Sequence, residues 1–219
     1  MIIVGICGGS GSGKSTFAER IRDGLSCSCE IMRLDCYYFD QGGKPFEERT
    51  KVNYDSPEIF DFDEMLADIR LLLDGKPVTR KGYNYAEHRW DDSEELMYPP
   101  EVLIIEGIHV FYDDRICDIM NLKLFIKVDS DICLLRRIAR DMNERGRSLE
   151  SISEQYKATV KPMREKYIDK YIDKADVVVM RGGMNEQALK TTISYLKSCV
   201  KEQRPAESEK NESDGNDSE

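Results

Sequence analysis

The stretch GGSGSGKS, residues 8–15, matches the pattern G-x-x-x-x-G-K-[ST] of a phosphate-binding loop. It follows the apolar run Ile2–Cys7, which is typical of a buried parallel strand, and it opens a predicted helix over Lys14–Leu25. Glycines let backbone N–H groups turn inward around a phosphate, and the helix N-terminus adds its dipole. Lys14 would then reach the outer phosphates, and the Ser15 hydroxyl would face Mg²⁺. We therefore predict a nucleotide-binding loop; a merely flexible glycine turn is the alternative.

Along the rest of the chain, apolar runs typical of buried strands alternate with amphipathic patterns typical of helices. Further buried strands are predicted at Glu30–Leu34, Val102–Ile105, Leu122–Val128 and Val177–Met180. Helices are predicted to begin at Ser56-Pro57 and to cover Asp131–Arg145, Ser148–Tyr167 and Asn185–Val200, with a kink at Pro162. A small antiparallel hairpin is predicted from Val78–Tyr85 and Glu94–Tyr98. This order indicates an α/β fold of the P-loop NTPase type, with a central parallel five-stranded sheet and helices on both faces.

The composition fits one globular domain. The chain has 219 residues, 40% hydrophobic and 34% charged, and its formal net charge of −10 disfavours nucleic-acid or anionic-membrane partners. No apolar run approaches the roughly 20 residues that span a bilayer, and we expect no export signal. Seven scattered cysteines then indicate reduced thiols in a cytoplasmic protein. We predict one nucleotide-binding domain over residues 1–200 and a disordered acidic tail over 201–219.

Two acids stand where predicted strands end: Asp35 follows EIMRL, and Glu106 follows EVLII. In open parallel sheets, ligands bind beyond the carboxyl ends of the strands, so both side chains would face the phosphates of a bound nucleotide. There they could hold Mg²⁺ or accept the proton of an attacking hydroxyl. Helix-capping or loop acids are the alternative.

Two further observations narrow the class of protein. The predicted domain takes almost the whole chain, and the NKxD motif common in GTPases is absent from the sequence, which favours a small-molecule kinase over a switch. The run RRIARDMNERGR, residues 136–147, carries five arginines and two acids, which suggests a small anionic ligand. The alternative to a ligand-binding role for this run is a solvated helix face on which arginines pair with Asp141 and Glu144.

With these features in hand, the chain resembles the uridine kinases (uridine–cytidine kinases) over about residues 3–200. The resemblance is carried by GICGGSGSGKST, LDCYY, VNYDSPEIFDFD, VLIIEGIHVFY, RRIARDMNERGRS, SEQYKATVKPM and ADVVVMRGG. It implies Mg²⁺-dependent phosphoryl transfer from ATP or GTP to the 5′-hydroxyl of uridine or cytidine. It also implies a homo-oligomer, since the family often forms tetramers.

The resemblance assigns roles to particular positions. Asp35 aligns with the general base, which also lies near the metal, and Ser15 and Glu106 align with the other magnesium-side groups. The donor would be held by Gly8, Gly9, Ser10, Gly11, Ser12, Gly13, Lys14, Ser15, Thr16, Arg147 and Arg181. Lys14, Arg140 and Arg145 would act in catalysis, with a helical lid over 136–167. The nucleoside would meet Tyr38, Tyr54, Asp55, Arg137 and Gln155, with Asp55 on the ribose hydroxyls.

The segment KGYNYAEHRW, residues 81–90, falls in a nucleoside-binding hairpin insertion placed at 76–99. The resemblance implies that Tyr83 and His88 contact the pyrimidine base. A histidine can donate or accept a hydrogen bond, so His88 could tolerate both uracil and cytosine. Asn84 departs from the family, which has aspartate there. Packing of these aromatic side chains against the protein body is the alternative.

Two other functions stay open. Asn84 motivates a kinase for another small alcohol, phosphoribulokinase-like or pantothenate-kinase-like. A nucleotide-binding regulator is the second, and the intact set of Lys14, Ser15, Asp35 and Glu106 argues against it. His109 has no role that the resemblance transfers, and we expect it to be structural.

Overall fold

A five-stranded parallel sheet forms the centre of the computed structural model, which describes residues 1–204 except for the side chain of Asp92. The strand order is β2-β5-β1-β6-β7, and β3 and β4 form a separate antiparallel pair. The strands are β1 Ile2–Cys7, β2 Cys29–Arg33, β3 Val78–Asn84, β4 Arg89–Met97, β5 Val102–Gly107, β6 Leu122–Lys127 and β7 Val177–Met180. The predicted five-stranded parallel sheet is confirmed.

Helices connect the strands. They are α1 Lys14–Gly24, α2 Phe46–Arg49, α3 Phe62–Leu73, α4 Asp114–Cys117, α5 Ser130–Arg145, α6 Leu149–Gln155, α7 Lys161–Lys166 and α8 Glu186–Gln203. Short 3₁₀ turns cover Leu34–Tyr37, Pro57–Ile59 and Ile168–Lys174, and a π-helical segment covers Tyr156–Val160. No helix within residues 1–204 is long and apolar enough to cross a membrane.

The sheet separates two apolar cores, because alternate side chains of a strand point to opposite faces. Ile2, Val4 and Ile6 of β1 pack with buried residues of α1 and α8 on one face. On the other face, Ile3 and Cys7 belong to a cluster with α3 and the 3₁₀ turn at Ile168–Lys174. Burying both faces requires nearly continuous apolar strands, which is why β1 and β5 were readable from the sequence.

Two predicted boundaries were wrong. Ser56-Pro57 starts only a 3₁₀ turn, and α3 begins at Phe62, where the Asp61 carboxylate accepts from the backbone N–H of Glu64 at 2.8 Å. Asp61 therefore is the N-cap residue. The second hairpin strand starts at Arg89 and not at Glu94. Trp90 is the only apolar residue among its first five, so no apolar alternation marked them.

The helix predicted at Ser148–Tyr167 is present as continuous helical backbone over Leu149–Lys166, but a π-helical segment interrupts its α-helical geometry. α6 and α7 flank the π-helical segment, which lies just before Pro162. Proline has no N–H and its ring disturbs the preceding turn, so the regular i→i−4 pattern cannot continue through it.

The disordered tail was predicted over 201–219, and its predicted start was wrong, because α8 continues through Gln203. Beyond it, the Arg204 guanidinium contacts Glu101 Oε1 at 2.7 Å, which ties the end of the helix to the sheet. The rest of that prediction, residues 205–219, lies outside the described residues.

Candidate active site

The glycine-rich loop connects β1 to α1, as its sequence pattern predicted. Gly13 precedes the helix with a φ of 90°, a left-handed conformation that glycine adopts without strain. A Cβ on Gly11 would lie 2.3 Å from the carbonyl oxygen of Cys133 in α5, so only glycine lets the loop approach that helix. The loop therefore has a backbone-lined concave shape suited to an anion.

A cavity of about 250 Å³ opens beside this loop at the carboxyl ends of the strands. It is lined by these predicted site residues: Ser10, Lys14, Ser15, Asp35, Tyr38, Tyr54, Asp55, Tyr83, His88, Glu106, Arg137, Arg140, Arg145, Arg147 and Gln155. They come from sequence positions nearly 150 residues apart, yet they share one surface. The cavity brings together the predicted phosphate, acceptor and lid groups.

The remaining predicted residues lie outside the cavity lining. Gly8, Gly9, Gly11, Ser12 and Gly13 form the loop backbone, and Thr16 is exposed on α1. Arg181 is also exposed and has a φ of 68° just after β7. The two glycines after it approach the loop so closely that a Cβ on Gly183 would lie 2.1 Å from the Gly13 carbonyl oxygen. Arg181 is thus beside the loop but not in the cavity.

Asp35 follows the end of β2 and Glu106 lies near the end of the neighbouring strand β5, close enough for their charges to interact. The Ser15 hydroxyl donates to Glu106 Oε1 at 3.1 Å. Burial raises the pKa of Glu106, the Lys14 ammonium opposes that rise, and the Asp35 charge adds to it. Two neighbouring carboxylates and a hydroxyl are hard oxygen donors, the set that Mg²⁺ prefers. These three residues therefore fit the predicted magnesium site.

Asp55 is a buried acid that also lines the cavity. Its Oδ2 accepts from the Thr159 hydroxyl at 2.9 Å, and its Oδ1 lies 3.8 Å from the Arg137 guanidinium. Arg137 in turn donates to Gln155 Oε1 at 2.9 Å. Thr159 lies within the π-helical segment, so the irregular turn before Pro162 places its hydroxyl on Asp55. The Asp55 carboxylate is held in a fixed position and still lines the cavity.

Aromatic rings form part of the cavity wall. The His88 ring stacks on Tyr54 with centroids 4.9 Å apart and 21° between planes, and Tyr83 lies 4.7 Å from Tyr38. Burial lowers the pKa of His88, and the charges of Arg147 and Arg145 lower it further. A neutral imidazole has one donor and one acceptor nitrogen. Such a wall suits a flat heterocycle with polar edges.

Asn84 stabilises the tip of the hairpin. Its Oδ1 accepts from the backbone N–H groups of Ala86 and Glu87, each at 3.0 Å. Asn84 therefore supplies the acceptor that closes this turn without placing a carboxylate charge there.

The arginines converge on one buried acid, Asp141, which has no exposed surface. Arg140 and Arg145 lie 2.7 and 3.4 Å from its Oδ1, and Arg137 and Arg147 lie 3.4 and 3.8 Å from its Oδ2. The alternative of a solvated helix face is wrong for this acid, because the pairs are part-buried and the arginines line the cavity. Asp141 therefore pairs with four arginines whose side chains all line the same cavity.

Several cavity residues were missed from the sequence: Arg33, Tyr85 and Ile108 in the lining, and Thr159 and Asp141 behind it. For two of them a signal existed. Tyr85 stands two residues from Tyr83, and Asp141 lies at helical spacing from Arg137 and Arg145. For Arg33 and Thr159, no local pattern pointed to the cavity.

The arrangement joins an anion-binding loop, a pair of carboxylates and converging arginines with an aromatic slot. A phosphate donor on the loop would place its terminal phosphorus beside Asp35. A hydroxyl compound in the slot could then reach both. The geometry therefore suits phosphoryl transfer to an alcohol.

Comparison with known proteins agrees with this geometry. Residues 3–188 match the model of the phosphoribulokinase/uridine kinase family. The chain is 41% identical over 201 residues to a uridine kinase of Ligilactobacillus salivarius, covering 91% of this chain and 94% of that protein. It is 42% identical to a uridine kinase of Streptococcus pyogenes serotype M5, covering 92% and 97%.

Among solved structures, the phosphoribulokinase of Rhodobacter spheroides has the same fold, with a TM-score of 0.58 and 14% identity. That match covers 82% of this chain and 69% of the other.

Proposed function

The chain belongs to the phosphoribulokinase/uridine kinase family, and from this membership we propose that it is a nucleoside kinase that transfers the γ-phosphoryl group of ATP to the 5′-hydroxyl of uridine or cytidine. One observation carries the proposal for the site. The same cavity holds Lys14 and Asp35, which suit a phosphate donor and an attacking hydroxyl, together with Asp55, Tyr54 and His88, which suit a ribose and a flat base. These groups correspond to the phosphate, 5′-hydroxyl, ribose and base that meet when a nucleoside is phosphorylated.

Asp35 is the proposed base. It accepts the proton of the 5′-hydroxyl as that oxygen attacks the γ-phosphorus, and the bond to the bridging oxygen breaks to release ADP. Lys14, Arg140 and Arg145 stabilise the charge that spreads over the phosphoryl oxygens. Arg147 and Arg181 serve the donor, with GTP as an alternative to ATP.

Asp55 is the proposed ribose-binding acid, since a carboxylate accepts from two neighbouring hydroxyls. Tyr38, Arg137 and Gln155 complete that part of the site. Tyr83 packs against the base, and neutral His88 offers a donor to a carbonyl or an acceptor to an amine at the base edge. Uridine and cytidine differ there in that way, so both would be accepted.

Ser15, Asp35 and Glu106 would hold Mg²⁺ together with the phosphates of the donor. When bound, the ion neutralises phosphate charge. The hairpin insertion at 76–99 and the lid region at 136–167 would enclose the acceptor and exclude water.

A panel of alcohols with ATP and Mg²⁺, read by product mass, tests this function. We expect uridine or cytidine 5′-monophosphate, and brisk turnover of another alcohol with no reaction of either nucleoside would refute the proposal. Asp35→Asn should lower turnover by roughly 10²- to 10⁴-fold. Asp40→Asn, which changes an exposed acid in the following loop, is the matched control.

A further inference from the structure

The Tyr85 hydroxyl donates to Asp35 Oδ2 at 2.7 Å. The other carboxylate oxygen, Oδ1, accepts from the Tyr38 hydroxyl at 3.3 Å. Both oxygens of the proposed base therefore accept a hydrogen bond from a phenol.

Tyr85 is better placed to leave Asp35 than Tyr38 is. Tyr38 is 6% exposed, stacks on Phe60 at 4.5 Å and forms a backbone bridge with it. Tyr85 is only part-buried and follows the end of β3 in the hairpin turn. An arriving hydroxyl would therefore replace the Tyr85 bond.

Tyr85 also contacts the lid. The Arg145 guanidinium lies 4.2 Å from the centre of its ring, in a cation–π contact, and Arg145 is bound to Asp141. Tyr85 and Arg145 both line the candidate active-site cavity and also a larger neighbouring cleft of about 650 Å³ that includes Thr50 and Ser151. The Tyr85 side chain therefore lies beside Asp35 at a wall that the cavity shares with this cleft.

If Asp35 were free to accept a proton beside a bound donor, it could also promote hydrolysis of that donor. Water could lose a proton to Asp35 while its oxygen attacks the γ-phosphorus. The bond to the bridging oxygen would break, and ADP and inorganic phosphate would leave. A phenol that donates to Asp35 competes with such a water for a lone pair of the carboxylate.

We propose that Tyr85 is a positioning residue that occupies Asp35 until the acceptor hydroxyl displaces it, and so suppresses hydrolysis of the donor by water. The inference rests on the proposed function, in which Asp35 is the base. It assigns to Tyr85 a role in fidelity of transfer and not in the rate of transfer.

The experiment uses the full chain with Tyr85→Phe. ADP release without nucleoside measures hydrolysis, and nucleoside monophosphate formation measures transfer. We expect hydrolysis to rise roughly tenfold or more, the effect of losing one hydrogen bond to a charged group, with transfer changed less than about twofold. Tyr98→Phe makes the same chemical change on an exposed tyrosine just after β4 and should leave both rates unchanged.

The double variant Asp35→Asn/Tyr85→Phe ties the effect to the base, because the extra hydrolysis should disappear in it. Unchanged hydrolysis in Tyr85→Phe, or extra hydrolysis that persists in the double variant, overturns the inference. A fall in transfer at constant hydrolysis overturns it as well, since Tyr85 would then assist transfer. Failure of the proposed function shows separately, as a wild-type protein that phosphorylates no nucleoside.

Discussion

His109 Nε2 lies 2.8 Å from the backbone carbonyl oxygen of Asp55, and His109 Nδ1 lies 2.9 Å from the Tyr171 hydroxyl. A carbonyl oxygen only accepts, so Nε2 carries the proton and Nδ1 accepts from Tyr171. This buried neutral histidine fixes the backbone of the proposed ribose-binding acid. These contacts are consistent with the structural role expected for His109. His109 supports Asp55 from behind and does not itself line the cavity.

The stability of the protein should depend on pH through His109. Burial lowers the pKa of His109 from 6.5 to about 4. Between pH 6.5 and pH 4, His109 is therefore protonated in the unfolded chain but neutral in the folded protein. The free energy of unfolding therefore falls as pH falls through that window. From pH 7 to pH 5 this group should account for about 2 kcal/mol.

His109→Gln isolates that contribution, since an amide keeps a donor and an acceptor but does not titrate. Urea unfolding at pH 7 and pH 5 should show the wild type losing about 2 kcal/mol more than the variant. Parallel losses in both proteins would contradict the assignment.

Asp55 should set the preference for ribose over 2′-deoxyribose. Asp55→Asn keeps the shape but removes the charge that strengthens its bonds to two hydroxyls, each worth roughly 10- to 100-fold. We expect kcat/KM for uridine to fall by that order and the uridine to deoxyuridine ratio to fall at least about tenfold.

Glu58→Gln, an exposed acid three residues further on, is the control for that substitution. A uridine to deoxyuridine ratio that stays at the wild-type value in Asp55→Asn would remove Asp55 from the ribose site.

The central sheet and the loop were predictable because both depend on local sequence. Strands buried on both faces need continuous apolar runs, and the glycine loop needs glycine where a Cβ would meet Cys133. Asp35 and Glu106 could be placed because strand ends in a parallel sheet meet at one edge.

What could not be predicted depends on contacts between distant segments. Tyr85 meets Asp35 across 50 positions, and Thr159 meets Asp55 across 104. The contact of Thr159 with Asp55 also depends on the π-helical turn before Pro162. An apolar pattern with a period of about 3.6 residues predicts an α-helix and gives no sign of such a turn. Such contacts leave no periodic signal in the sequence.

The buried carboxylate of Asp141 should be essential for both stability and turnover. Asp141→Asn leaves four arginines around a neutral side chain, and breaking a buried ion pair costs about 3 to 5 kcal/mol. We expect the free energy of unfolding to fall by that order. Turnover should fall as well, because Arg140 and Arg145 lose the partner that orients them.

Glu144→Gln removes an exposed acid from the same helix and should change neither quantity. Equal effects of the two substitutions, measured by urea unfolding and steady-state kinetics, would contradict the central place of Asp141.

Arg145 should act on the transferring phosphoryl group more than on the nucleoside. Its guanidinium lies against Tyr85 and Asp141 at the lid side of the cavity, and it comes from the last turn of α5. A cation there stabilises charge that develops only in the transition state, so its loss lowers kcat and leaves nucleoside binding intact. For Arg145→Ala we expect kcat to fall about 100-fold or more and KM for uridine to change less than about threefold. Lys157→Ala removes an exposed lid charge outside the cavity and should have little effect on either constant. If Arg145→Ala instead raised KM for uridine as much as it lowered kcat, the arginine would belong to nucleoside binding and the transition-state role would be lost.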